Sequence, residues 1–135
     1  MRRAATLAAL ALLSACAPEH DPPETPVALP PAPGRSVIAT ETVTVSAFLA
    51  GASASLAELN TARCALRRGA QSVAFTTPRN VAIPIHDGPA DPLDISCTAA
   101  IGPREARTAL RHLPLGGTTS GGRRYPATIT LRFKQ

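Results

Sequence analysis

A chain of 135 residues has room for one domain. With 3 Phe, 1 Tyr and no Trp, its core must be mainly aliphatic, and it lacks the aromatic platforms on which single-stranded nucleic acids stack. The formal net charge of +5 favours anionic neighbours such as phosphorylated lipid head groups or acidic polysaccharide, and it bears on association rather than on fold.

The first element is a leader. Met1-Arg2-Arg3 is cationic, and Ala4 to Leu12 is an unbroken run of Ala, Leu and one Thr. Such a run is too short for a hydrocarbon core of about 30 Å, which takes about 20 helical residues, so residues 1–15 are expected to be a signal peptide. The four residues Leu13-Ser14-Ala15-Cys16 that close it resemble the lipobox of bacterial lipoproteins. That resemblance implies cleavage before Cys16, transfer of a diacylglyceryl group to its thiol, and membrane attachment through acyl chains. Each buried methylene contributes about 0.8 kcal/mol, so two chains already hold a protein stably. Ala17 stands where an Asp would favour inner-membrane retention in enterobacteria, and its presence points to the outer membrane.

Residues 17–35, APEHDPPETPVALPPAPGR, hold seven prolines in 19 positions. Proline fixes φ and lacks an amide donor, so this stretch is expected to be an extended spacer at about 3.1 Å per residue, up to roughly 60 Å long. Glu19-His20-Asp21 within it is expected to be solvated charge rather than a metal site. The folding unit is then residues 36–135, which keep a net charge of +5 once the leader and spacer are set aside.

Apolar and polar residues alternate with period two in six places, the signature of half-buried strands. The apolar sets are Val43, Val45, Ala47; Ala62, Cys64, Leu66; Val73, Phe75; Val81, Ile83, Ile85; Leu93, Ile95, Cys97, Ala99; and Ile129, Leu131, Phe133. Short strands separated by Gly and Pro turns predict an all-β fold, a small antiparallel β-sandwich. Ser53 to Asn60 is compatible with one helical turn, and Arg104 to Leu113 with either a helix or a further strand. Cys64 shares its face with Leu66, and Cys97 with Ile95 and Leu93, so both thiols are expected to point into one core. The leader directs the domain to an oxidising compartment, and acylation of Cys16 leaves two cysteines, which predicts a Cys64–Cys97 disulfide. Neither cysteine has the C-x-x-C or histidine spacing of a redox or zinc site.

The run Ala62-Arg63-Cys64-Ala65-Leu66, Gly69, Val73 to Thr77 with Pro78, Val81 and Ile83, then Leu93-Asp94-Ile95-Ser96-Cys97 resembles a small β-domain of proteobacterial envelope lipoproteins. Tyr125-Pro126 and the strand after it resemble that family's last strand. The resemblance spans most of residues 40–133 and implies a PEGA-like β-sandwich; the family's tryptophan before Thr-Pro is missing here. It implies no catalytic residue, since most of its members have no assigned function.

No constellation amounts to an active site, and no cofactor is implied. His86-Asp87-Gly88 with Asp91 and Asp94 is an acidic loop whose spacing matches no EF-hand, and Pro89 and Pro92 read it as a stiff connection. Ser96 and His112 lack the Gly-x-Ser-x-Gly context of a hydrolase. The arginines are the remaining signal. Arg63 and Arg67 are expected on the outward face of one strand with Arg68 at its turn, while Arg104, Arg107, Arg111, Arg123 and Arg124 cluster later. Guanidinium groups suit bidentate contact with phosphate or carboxylate. The expectation is a lipid-anchored, non-enzymatic envelope module facing the periplasm, an accessory or protein-interaction domain, or else a binder of peptidoglycan or lipopolysaccharide through Arg63, Arg67 and Arg68.

Overall fold

The computed structural model describes residues 25–51, 56–59, 61–115 and 122–134. The predicted leader, the predicted lipidation site Cys16 and residues 17–24 therefore lie outside the described residues. Nine strands and no helix make up the described chain: β1 (Val27–Ala28), β2 (Val37–Ala50), β3 (Leu56–Glu58), β4 (Arg63–Arg68), β5 (Gln71–Thr76), β6 (Arg79–His86), β7 (Leu93–Ile101), β8 (Arg104–His112) and β9 (Thr128–Lys134).

They form two sheets packed as a sandwich. In sheet A the order is β1-β6-β2, with β9 beside β2 on its other edge and β3 beside the end of β2; in sheet B it is β5-β4-β7-β8. Pairing is antiparallel except at two places, where β1 runs parallel to β6 and β9 runs parallel to β2. All six predicted alternations are strands, and their apolar members meet in the middle. Val43, Val45, Ala47, Leu66, Val81, Ile83 and Leu93 are wholly buried, and Leu131 and Phe133 are nearly so. A fully buried side chain of this size contributes about 1.5–3 kcal/mol, so period-two patterning is the main source of stability here.

The turns have equally local causes. Arg68 pairs with Gln71 across a two-residue hairpin, and Gly69 takes its left-handed position with φ +58°. Ile101 pairs with Arg104 across another, in which Gly102 has φ +59° and Pro103 fixes the next φ.

The disulfide joins Cys64 to Cys97, which sit directly opposite each other on β4 and β7 with Cα atoms 4.1 Å apart. That is the close spacing of a non-hydrogen-bonded antiparallel pair. Both cysteines are buried in the core as their parity requires, but the bond lies within sheet B and does not cross between sheets. The closed loop nevertheless contains β5 and β6, so it passes through sheet A on its way back.

Three expectations meet the structure differently. Leu56–Glu58, inside the stretch compatible with a helical turn, is strand, because the end of β2 offers unpaired backbone that it completes. Residues 53–55 and 60 of that stretch lie outside the described residues. Arg104–His112 resolves as a strand along the full length of β7. The chain read as spacer joins the fold from Thr25 onward. Val27 and Ala28 pair with Val81 and Ala82, and Leu29 is 1% exposed in the core with its N–H on the Ala82 carbonyl at 2.9 Å. Prolines flank this strand without entering it, as an edge position permits. Residues 17–24 alone separate Cys16 from the packed chain, so the distance between the two is at most about 32 Å.

Candidate functional site

The outer face of sheet B is built by the same alternation that fills the core. Residues of β4 between the buried ones, Arg63, Ala65 and Arg67, are exposed. Register then lines up three rows across the strands. One row is Thr76-Arg63-Thr98-Arg107, the next Ala74-Ala65-Ser96-Ala109, and the third Ser72-Arg67-Asp94-Arg111. Successive rows lie two residues apart, about 6.6 Å, so the arginine rows are about 13 Å apart and the small-residue row runs between them. The floor of Ala65, Ser96 and Ala109, with Arg67, Asp94 and Arg111 along one side, forms an open depression of about 530 Å³.

The charge on this face is unevenly matched. Arg111 reaches Asp94 at 3.1 Å, and Arg107 approaches Glu105 of its own strand at 3.8 Å. Arg63 and Arg67 have no ion-pair partner among the described residues. Exposed pairs such as these contribute little to stability, and a guanidinium with no partner is available to an external anion.

The structure thus brings Arg63 and Arg67 together with Arg107 and Arg111, and separates them from the rest of the arginine set. Arg68 is the main correction. It was expected at the turn beside Arg67, but it points inward with 6% exposure and donates to the Pro84 carbonyl at 2.6 Å. The signal was already present in the sequence, since Cys64, Leu66 and Arg68 share one parity. Arg123 and Arg124 belong to the other side of the molecule. Arg123 donates to the Thr42 carbonyl at 2.9 Å, and the backbone N–H of Arg124 donates to Glu41 at 2.8 Å. No model of a protein family, no curated protein and no solved structure matches the chain.

The remaining candidates disperse. His86 is buried, Asp87 accepts from the Gly88 N–H at 2.9 Å, Asp91 pairs with Arg35 at 3.5 Å, and Asp94 faces the outer surface with Arg111. Among the described residues no group of three His, Cys, Asp or Glu is placed to hold a metal. Ser96 lies on the outer face between Ala65 and Ala109, while His112 sits at the end of β8 beside Leu93 with Nδ1 at 2.9 Å from the Leu113 carbonyl.

Two arrangements have no counterpart in the sequence reading. Glu41, 9% exposed, accepts the backbone N–H groups of Arg124 and Tyr125 at 2.8 and 3.0 Å, which positions the chain entering β9. Tyr125, 1% exposed, donates its hydroxyl to the Asp91 carbonyl at 2.6 Å, and burial raises the pKa of that hydroxyl. Both span more than 30 positions of sequence, beyond the reach of any local pattern.

Proposed function

We propose that the chain is a lipid-anchored envelope protein, held by acyl chains on Cys16 in the outer membrane, whose PEGA-like sandwich is a non-enzymatic contact module in the periplasm. The observation that carries this reading is the outer face of sheet B, where four arginines flank a row of small residues and two of them are uncompensated. An open sheet face with a shallow, solvent-exposed depression suits contact with another macromolecule better than it suits turnover of a small one, which takes an enclosed apolar pocket.

The arginines favour, within that role, an anionic glycan or lipid head group such as peptidoglycan or lipopolysaccharide. The full-length chain in detergent is expected to sediment with purified sacculi or with lipopolysaccharide aggregates, less so as salt rises from 50 to about 500 mM, since exposed charges are then screened within a few ångströms. Arg63→Ala with Arg67→Ala is expected to reduce the bound fraction severalfold at low salt with an unchanged circular dichroism spectrum. Binding that survives both salt and the double substitution rejects the arginine face. In-cell crosslinking from position 65 that captures a protein instead assigns the same face to a protein partner. Intact mass of the membrane-extracted protein tests the anchor: no loss of the first 15 residues and no acyl mass removes it.

A further inference from the structure

The end of the sandwich beyond β1 carries a separate arrangement. Strand β1 covers β6 only at Val81 and Ala82. The carbonyl of Pro84, on the same edge two residues further along, is taken by the Arg68 guanidinium at 2.6 Å instead of by a strand. Two residues on again, His86 Nε2 accepts the Ala32 N–H at 2.9 Å. Accepting at Nε2 fixes the proton of the neutral ring on Nδ1, which makes Nδ1 a donor.

Two buried donors are left over. Among the described residues Arg68 Nη2 and His86 Nδ1 have no hydrogen-bond partner at bonding geometry, although the Arg68 guanidinium faces the Tyr125 hydroxyl and counteracts the rise in its pKa, and both side chains are only 6% exposed. Both line one cavity, with Tyr125, Arg35 and Asp91, whose volume of about 10 Å³ has room for a single water-sized sphere. An occupant that satisfies two donors has to be an acceptor. The charge balance narrows it further. Asp91 is engaged by Arg35 at 3.5 Å, and no carboxylate lies within ion-pair distance of Arg68 among the described residues. A guanidinium removed from water without a counterion is costly, and a neutral occupant leaves that cost standing.

We propose that this cavity is a binding site for one small monovalent anion of halide size, held by Arg68 Nη2 and His86 Nδ1. The small volume favours a monatomic anion over phosphate, sulfate or a carboxylate group. Burial first, and then the Arg68 and Arg35 charges, lower the pKa of His86, while the Asp91 carboxylate raises it, so the ring stays neutral and keeps Nδ1 as a donor toward the cavity. The site is independent of the outer face of sheet B and stands or falls separately from it.

The test uses the unmodified full-length chain. Crystals soaked in sodium bromide are expected to show an anomalous peak within hydrogen-bond distance of Arg68 Nη2 and His86 Nδ1. In detergent solution, replacing gluconate with chloride at constant ionic strength is expected to raise Tm, by on the order of 5 °C between 5 and 500 mM, with the logarithmic dependence of ligand linkage. Arg68→Met is expected to abolish that difference; if this variant does not fold, the diffraction result and the unmodified protein's Tm decide alone. Bromide found only at the exterior, an adventitious ion only, or equal Tm in chloride and gluconate overturns the proposal.

Discussion

Leu29→Ala separates a spacer from a structural segment more sharply than any other single substitution. In an unstructured proline-rich tether the change is neutral within about 0.5 kcal/mol. In the sandwich Leu29 is 1% exposed and belongs to the core cluster, and its backbone N–H is bonded to Ala82 at 2.9 Å. Truncating a buried leucine costs about 2–5 kcal/mol through lost transfer energy and residual cavity. Leu29 lies on an edge segment whose neighbours are able to relax, which places the expectation near the lower half, at about 3 kcal/mol. That is a large share of the 5–15 kcal/mol of a whole domain. With a urea m-value of about 1–1.5 kcal/mol/M, the midpoint shifts down by about 2–3 M. The assay is urea denaturation of the full-length chain in non-ionic detergent, followed by circular dichroism, with Pro30→Ala at the adjacent exposed position as control. A midpoint for Leu29→Ala that matches both the control and the parent refutes the packing of this segment and returns the domain boundary to residue 36.

Reduction of Cys64–Cys97, or replacement of both residues by Ser, is expected to lower stability by about 3–4 kcal/mol, the closure entropy of a loop of about 34 residues, read as a fall in Tm. Glu41→Ala is expected to cost about 2–3 kcal/mol, because two charge-assisted bonds to the backbone ahead of β9 are lost, and hydrogen exchange at Arg124 and Tyr125 should accelerate. His86 supplies a pH dependence. Its pKa in the folded protein lies below the ordinary 6.5, so its contribution to stability is complete above pH 6.5 and is lost as pH falls through the folded value. Protonation also removes the Nε2 lone pair that receives the Ala32 N–H. Tm measured between pH 8 and pH 4.5 should therefore fall on acidification, and His86→Phe should flatten the part of the curve just below pH 6.5.

What period-two reading captures is the inside of each strand, and what it misses is the partner that lies far along the chain. Val81, Ile83 and Ile85 announce β6 because burial on one face imposes alternation wherever the strand ends up. The same logic placed Cys64 and Cys97 in one core and Arg63 and Arg67 outside it. Arg68 is missed because a charged residue next to Gly69 has the look of turn chemistry, although its parity with Leu66 directs it inward. Val27 to Leu29 escaped for the opposite reason. Prolines at positions 26, 30, 31 and 33 bracket them, and a two-residue edge strand is too short to show any period. Glu41 carried no signal at all, since a lone carboxylate in an alternating strand gains its meaning from backbone amides more than 80 residues away. The arginine-bearing face was therefore legible as a set of strand positions, whereas its assembly from β4, β7 and β8 required the register.

The pairing of β9 with β2 joins residues 44–50 to residues 128–134, the later half of the second strand to the last strand of the fold. Ile129, Leu131 and Phe133 reach the core only when the carboxyl-terminal segment has docked. Contacts this distant in sequence are slow to form, because most of the chain must be brought round to close them. During synthesis, a nascent chain still missing the seven residues of β9 has a hydrophobic interior open along one flank of β2. Such a topology delays closure of the core until this last strand has been made and has found its place beside β2.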